Sequence, residues 1–254
     1  MNTPREHLAI RVMTYNIHKA IGGVDRRYDL NRVAETIAHY LPDIAFLQEV
    51  DDGVPRSNFD RQVDALAGRL GFQYQAFQPN VRLTRGHYGN AILSRFPLRE
   101  TWNVDLTVRF KKRRRALVVK AHVQVGSHDR TLLLCNLHLG LAGFERAKQI
   151  KKLMAWDHLK HVRHETPAIV GGDFNDVWSS MARRFMLPFG YQSVFRQSRT
   201  FPAFMPMRGL DAIYFRGDIH MQAAYVGHSK IARHASDHLP LVADFEIRGP
   251  NISN

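Results

Sequence analysis

The chain has 254 residues, 44% of them hydrophobic and 23% charged, and its 36 lysines and arginines against 23 acids leave a net charge of +13. This composition is that of a folded protein, its single cysteine rules out an internal disulfide, and the length allows one large α/β domain or two small ones, with a sizeable core. The charge favours polyanionic partners, meaning nucleic acid, anionic lipid headgroups or phosphorylated metabolites.

Residues 1–7 hold no apolar segment of the secretory kind, and no run approaches the roughly 18 apolar residues that span a bilayer. The expectation is a cytoplasmic protein with no integral membrane span and no evident obligate protein partner. Ile10 to Asn16 alternates and is rich in β-formers, so it reads as a strand that delivers Asn16 and His18 to its end. Asp29 can cap a helix in which Leu30, Val33, Ala34, Ile37, Ala38 and Leu41 recur at helical spacing before Pro42 stops it. Ile44 to Leu47 is a short buried strand running into Gln48-Glu49-Val50, which puts an acid on the same rim as Asn16 if the two strands are parallel neighbours. Val63, Leu66, Ala67 and Leu70 mark a second helix closed by Gly71.

Asn90 to Ser94 is a further strand, preceded by His87-Tyr88-Gly89. From Leu117 to Val125 the odd positions are apolar, and the turn at Gly126-Ser127 leads into the run Leu132 to Leu137, an antiparallel hairpin with His138 at its exit. Cys135, the single cysteine, sits in that run as a buried structural thiol. Phe144 to His161 reads as a helix with Lys148, Lys151 and Lys152 outward. Pro167 to Val170 has the length of a buried strand, and Gly171-Gly172 let the backbone turn sharply and approach a ligand ahead of Asp173-Phe174-Asn175. Shorter strands follow at Asp211–Phe215, near Ile219–Val226 and at Leu241–Ile247, the last just after Ser236-Asp237-His238-Leu239-Pro240. The terminal Asn251-Ile252-Ser253 matches a glycosylation acceptor, a chance match in a chain without a secretory signal. No fixed-period repeat or linker interrupts the chain, so residues 1–254 are read as one domain.

Any one polar residue after a strand is ordinarily a solvated loop group or a cap. Six strand ends carrying Asn16, Glu49, His138, Asp173 with Asn175, Asp211, and Asp237 with His238 are not explained that way. In order, Thr14-Tyr15-Asn16-Ile17, Leu47-Gln48-Glu49-Val50, Asn136-Leu137-His138, Gly172-Asp173-Phe174-Asn175, Leu210-Asp211 and Ser236-Asp237-His238-Leu239-Pro240 resemble the motif set of the endonuclease/exonuclease/phosphatase superfamily, the group of pancreatic-type deoxyribonuclease and AP endonucleases.

The resemblance runs from about residue 10 to 247. It implies a four-layer α/β sandwich, two mixed sheets packed face to face and flanked by helices, with the active site at one end. It also implies metal-dependent hydrolysis of a phosphate ester. Glu49, with Asn16 and Asp237 near it, would supply oxygen ligands to Mg²⁺ or Mn²⁺. Asp211 matches the carboxylate that orients His238, Asp173 and Asn175 would position nucleophile and phosphate, and either Asp173 or His238 would take the proton. His138, where AP endonucleases have Tyr, sides with the deoxyribonuclease-like and phospholipase-like members and would serve the leaving oxygen. Asn90, in a segment that contacts the phosphate in relatives, is the expected residue there. Many relatives carry Arg directly before the Leu-Asp motif; here Gly209 stands in that place and Arg208 lies one earlier.

Three features lie outside the motifs. His158, His161 and His164 recur every third residue beside Lys160 and Arg163, and read as a solvated basic helix face rather than a metal site. The loop Arg199 to Met207, apolar and proline-pinned, can stack on a base, touch a lipid or pack on its own core. Lys111, Lys112 and Arg113, opening a run of five cations after Phe110, are candidates for phosphate contact. The leading reading is a metal-dependent phosphodiesterase acting on nucleic acid, DNA first. The alternative is a phospholipid or inositol-phosphate substrate for the same chemistry.

Overall fold

The computed structural model describes residues 6–178 and 180–249, so the first five residues and Asn251-Ile252-Ser253 lie outside them. From Val12 to Asn16 in β1 (His7–Asn16) and from Ile44 to Gln48 in β2 (Ile44–Asp52) every side chain is buried, the pattern of strands covered on both faces. They run parallel, with Asn16 opposite Gln48. Their crossover is α1 (Leu30–Tyr40), capped by Asp29, whose carboxylate accepts from Asn31 N–H at 3.0 Å. α2 (Gln62–Leu70) ends on left-handed Gly71, as its sequence predicts.

β3 (Tyr74–Arg82) and β4 (His87–Ser94) add to this sheet beyond β2, and β11 (Ile219–Val226) and β12 (Leu241–Arg248) add beyond β1, in the order β11-β12-β1-β2-β4-β3. β3 carries no apolar alternation because its inward positions, Ala76, Gln78 and Asn80, are mostly polar. His87-Tyr88-Gly89, read as preceding a strand, lies within β4. The other strands are β5 (Leu98–Asp105), β6 (Arg115–Val125), β7 (His128–His138), β8 (Ala168–Asp173), the two-residue β9 (Gln192–Ser193) and β10 (Asp211–Arg216). They form a second sheet in the order β5-β6-β7-β8-β10-β9. β6 and β7 are the expected hairpin, and buried Cys135 lies in β7.

Three apolar layers hold four structural ones. Ile10, Phe46, Val119, Leu134 and Ile213 interdigitate between the sheets. The first sheet's other face packs on α1, α2 and α6 (Lys230–Ala235) through Val33, Ile37, Leu66 and Ala235. The second packs on α3 (Gly143–Met154), α4 (Asp157–Lys160) and α5 (Ser180–Met186) through Ile150, Leu153, Leu159 and Met186. The result is the four-layer sandwich implied by the motifs, and no helix among the described residues is long and apolar enough to cross a membrane.

Two sequence readings are corrected. The helix expected over Phe144–His161 breaks at Trp156, which is extended (φ −68°, ψ 126°). There its ring meets Trp102 of β5 at 5.7 Å and stacks at 4.7 Å on His158, which stays exposed, as do His161 and His164, on the solvated face that their spacing predicts. Gly171 and Gly172 do not turn toward a ligand; they stay in β8. A Cβ on Gly171 would lie 2.5 Å from the Phe46 ring, and one on Gly172, at φ 145°, would lie 1.9 Å from Leu137 O, so both serve close packing.

Polar groups also cross between the sheets. Fully buried Gln48 donates through Nε2 to Thr14 Oγ1 at 3.0 Å and to Asn136 Oδ1 at 2.8 Å, and Asn136 Nδ2 donates to Leu47 O and Ala91 O. Buried amides of this kind are costly unless satisfied; the donors of both are paired and so favour a single alignment, whereas Gln48 Oε1 has no partner among the described residues.

Candidate active site

Strand pairing gathers the motifs within each sheet. Parallel pairing of β7 with β8 sets His138 beside Asp173, and antiparallel pairing of β8 with β10 sets Asp173 beside Asp211. In the other sheet Asn16 ends β1, and Asp237-His238 lead into β12, whose Leu241 pairs with Thr14. Glu49 sits where the pairing of β2 with β4 slips between Leu47 and Val50, and it takes φ 58°, a left-handed conformation at a bulge.

The side chains meet across the sheet boundary. His238 Nδ1 is 2.8 Å from Asp211 Oδ2, which also accepts the Thr200 hydroxyl, and His238 Nε2 is 3.8 Å from Asp173 Oδ2. Asp173 Oδ2 further accepts from Asn16 Nδ2 at 3.0 Å and faces His138 Nε2 at 3.5 Å, while Asp173 Oδ1 accepts from Asn175 N–H at 2.9 Å. The Ser236 hydroxyl donates to Asn16 O and accepts from His238 N–H, tying the two motifs together.

This arrangement separates the protonation of the groups. Burial alone would strip the proton from His238, but Asp211, then Asp173 and Asp237, outweigh it and push the imidazolium up to about 10. Burial, reinforced by the Arg114 guanidinium, holds His138 down to about 4. Burial raises the Asp173 carboxyl against the opposing pull of the two histidines. For Glu49 burial pushes upward, yet His138 and the Lys19 ammonium that bonds it hold it well below the usual carboxylate range.

A cavity of about 540 Å³ opens over these groups. Asn16, Glu49, His138, Asp173, Asn175, Asp237 and His238 line it, as do Lys112 and Arg208, while Asp211 stands fully behind His238. Gly209 cannot carry a longer side chain, since a Cβ there would lie 2.3 Å from Ser198 O; Arg208, one residue earlier, reaches the cavity instead. Asn90 is not in the lining: it is fully buried in mid-strand, where Nδ2 faces Gln78 Oε1 at 3.4 Å and Arg115 O at 3.3 Å. Lys111 and Arg113 are exposed outside the lining, with Lys111 Nζ 5.2 Å from the Phe144 ring centroid.

Three residues that sequence reasoning passed over belong here. Thr200 shares Asp211 with His238, and Lys19 bonds Glu49. Arg114 is 6% exposed, lines the cavity, has an Nε with no hydrogen-bond partner, and has no carboxylate in ion-pair range among the described residues. Its place at the mouth of β6, as the fourth cation of the run, was the available signal; nothing local distinguished Thr200 or Lys19.

Two groups of residues offer metal-binding atoms. Asp173, Asp211 and His238 bring one each within 4.8 Å of one another, all buried. Both nitrogens of His238 face carboxylates, so its proton already does a cation's work there. Glu49, Asn16 and Asp237 line the same cavity with oxygen atoms, the hard donor type; the Glu49 carboxylate there is bonded by Lys19, and one Asn16 Oδ1 lone pair is occupied by His18 N–H at 3.0 Å.

The chain is 28% identical over 259 residues to the uncharacterized protein YbhP of Escherichia coli (strain K12), covering 95% of this chain and 98% of that one. In fold it is similar to an endonuclease/exonuclease/phosphatase from Beutenbergia cavernae, with a TM-score of 0.77 at 23% identity over 98% of this chain and 74% of that one. The mannosyl-6-phosphatase Bt3783 of Bacteroides thetaiotaomicron has a TM-score of 0.72 at 17% identity over 93% and 99% of the two chains. The model of the endonuclease/exonuclease/phosphatase family matches residues 13–238, from the strand that ends on Asn16 to His238, and the chain belongs to that family of phosphate-ester hydrolases.

Proposed function

We propose that the protein is a divalent-metal-dependent phosphodiesterase and that its substrate is nucleic acid, DNA in the first place. The observation that carries the chemistry is the buried row His138, Asp173, His238 and Asp211 beneath a cavity that also holds Glu49 and Arg114, a cation with no ion-pair partner among the described residues. Such a site suits an anionic substrate whose charge grows in the transition state.

In this reading water attacks phosphorus and gives its proton to Asp173, a carboxyl whose basicity burial has raised. As the new P–O bond forms, the bond to the leaving oxygen breaks, and that oxygen accepts a hydrogen bond from His138. His238, held as imidazolium by Asp211, and Arg114 donate to the non-bridging oxygens. A metal ion held by Glu49, Asn16 and Asp237 would supply Lewis-acid neutralisation of the phosphoryl charge.

The nucleic-acid reading draws on the +13 charge and on Lys111, Lys112 and Arg113 beside the cavity. A second reading, a phospholipid or inositol-phosphate substrate, is favoured by one observation. Phe204, Met205 and Met207 are each more than half exposed in the loop between Phe201 and Arg208, both of which line the cavity. A panel of plasmid, single-stranded DNA, abasic duplex, RNA, phospholipid and p-nitrophenyl phosphodiesters, each with Mg²⁺ or Mn²⁺, decides between them. Preferential turnover of DNA is expected; turnover of lipid alone would reverse the order, and none on any substrate would remove the proposal.

A further inference from the structure

Beside the catalytic cavity, and sharing Glu49 and Lys112 with it, lies a pocket of about 200 Å³ whose other walls include Lys19, Arg56 and Tyr88. Three cations surround one ring there. Lys112 Nζ is 5.0 Å, Arg56 Cζ 5.5 Å and Lys19 Nζ 5.7 Å from the Tyr88 centroid. Like charges gathered so closely repel, and a single aromatic face does not offset that for all three.

Two of the cations are held in place against resistance. Lys19 is the middle of His18, Lys19 and Ala20, at φ 47°, 61° and 59°, three consecutive non-glycine residues in the left-handed region that L-residues avoid. Fully buried Gln62 donates to Lys19 O at 2.9 Å, and Asn16 Oδ1 accepts from His18 N–H at 3.0 Å, so the turn is over-determined from two sides. Arg56 is locked by bonds of 2.8 and 2.7 Å to Asp51, a fully buried carboxylate. Strain kept in place by its surroundings is a mark of ligand clamps. Lys19 answers Glu49 and Arg56 answers Asp51, which leaves Lys112 with no ion-pair partner among the described residues.

We propose that this pocket is a second phosphate subsite: the substrate carries, next to the scissile phosphate, a further phosphoryl group that seats over Tyr88 between Lys112, Arg56 and Lys19. The inference rests on the phosphodiesterase reading above and names a chemistry with two sources, the adjoining phosphate of a polynucleotide strand or a second phosphate on a lipid headgroup. One charge-assisted hydrogen bond to such a group corresponds to about 10- to 100-fold in affinity.

The test uses matched pairs: a thymidine dinucleotide with and without a terminal phosphate, and glycerophosphoinositol with and without a ring phosphate. Wild-type protein with Mn²⁺ should prefer the phosphorylated member of one pair by about 10- to 100-fold in kcat/KM, and that pair identifies the source. Lys112→Met and Arg56→Met should each cut the preference about tenfold. Lys112→Met removes an exposed side chain and reports even if Arg56→Met, which strands Asp51, fails to fold. Calorimetry of inorganic pyrophosphate binding in EDTA gives a readout free of turnover, expected to weaken about tenfold in Lys112→Met. No preference within either pair, a preference that both variants keep, or unaltered pyrophosphate binding would each overturn the subsite. Absence of turnover on every compound, with pyrophosphate binding still weakened in Lys112→Met, would instead overturn the phosphodiesterase reading and leave the subsite standing.

Discussion

The bond of 2.8 Å between His238 Nδ1 and Asp211 Oδ2 joins the two sheets of the sandwich, for His238 leads into β12 of the first and Asp211 opens β10 of the second. The ring so fixed aims its other nitrogen at Asp173. The direction of the ring is therefore set by this carboxylate, and its charge by Asp211 together with Asp173 and Asp237.

From this pair we expect His238→Ala and Asp211→Asn each to lower kcat by about 10²- to 10⁴-fold, with the double variant no worse than about tenfold below the poorer single one. A steady-state cycle checks it, and multiplicative losses would show that the two act separately.

Glu49→Gln should abolish metal-supported turnover while leaving the thermal transition within a few degrees of wild type, because Glu49 lies on a bulge at the cavity rather than in an apolar layer. Activity and calorimetry on the same preparation test both halves, and full wild-type activity in excess EDTA would defeat the metal requirement.

Arg114→Met should separate stability from function. A buried guanidinium with no carboxylate partner among the described residues costs desolvation that an apolar side chain does not. Its loss should raise Tm by about 2–4 °C for each kcal/mol recovered in a chain of this size, while kcat/KM falls at least about tenfold. A lower Tm would mean that the cation is satisfied within the fold.

Converting Lys111, Lys112 and Arg113 to Ala should weaken DNA binding at low salt and flatten the slope of log K against log salt by about 0.9 for each duplex phosphate released. Lys112 lines the cavity and the other two stand outside it, so a change of about two to three units requires DNA to extend along the loop. An unchanged slope would identify the run as a solvated loop and move the lipid reading ahead.

What the sequence disclosed followed from the kind of pattern each element carries. Strands that are apolar on both faces, such as Leu132 to Leu137 and Pro167 to Val170, announce themselves, and so do the polar residues at their exits. β3 and β5 stayed hidden because edge strands need no continuous apolar face. The motif resemblance assigns Asn90 to the phosphate although it faces Gln78 inside the sandwich, since a strand's register, unlike its existence, depends on partners far along the chain. Thr200 and Lys19 were out of reach for the same reason: each acquires meaning only opposite Asp211 or Glu49.

The amide crosslink between Gln48 and Asn136 has a consequence for how such an enzyme can change over generations. Asn16 and Glu49 belong to one sheet, with His238 just ahead of its β12, and His138, Asp173 and Asp211 belong to the other, so neither sheet carries a working set. Descendants can exchange the exposed residues from Arg109 to Arg113 and from Phe204 to Met207 and so acquire new substrates. The two amides, which line no part of the cavity, are far less free to vary, because they hold in common alignment the two halves from which any such substrate would be attacked.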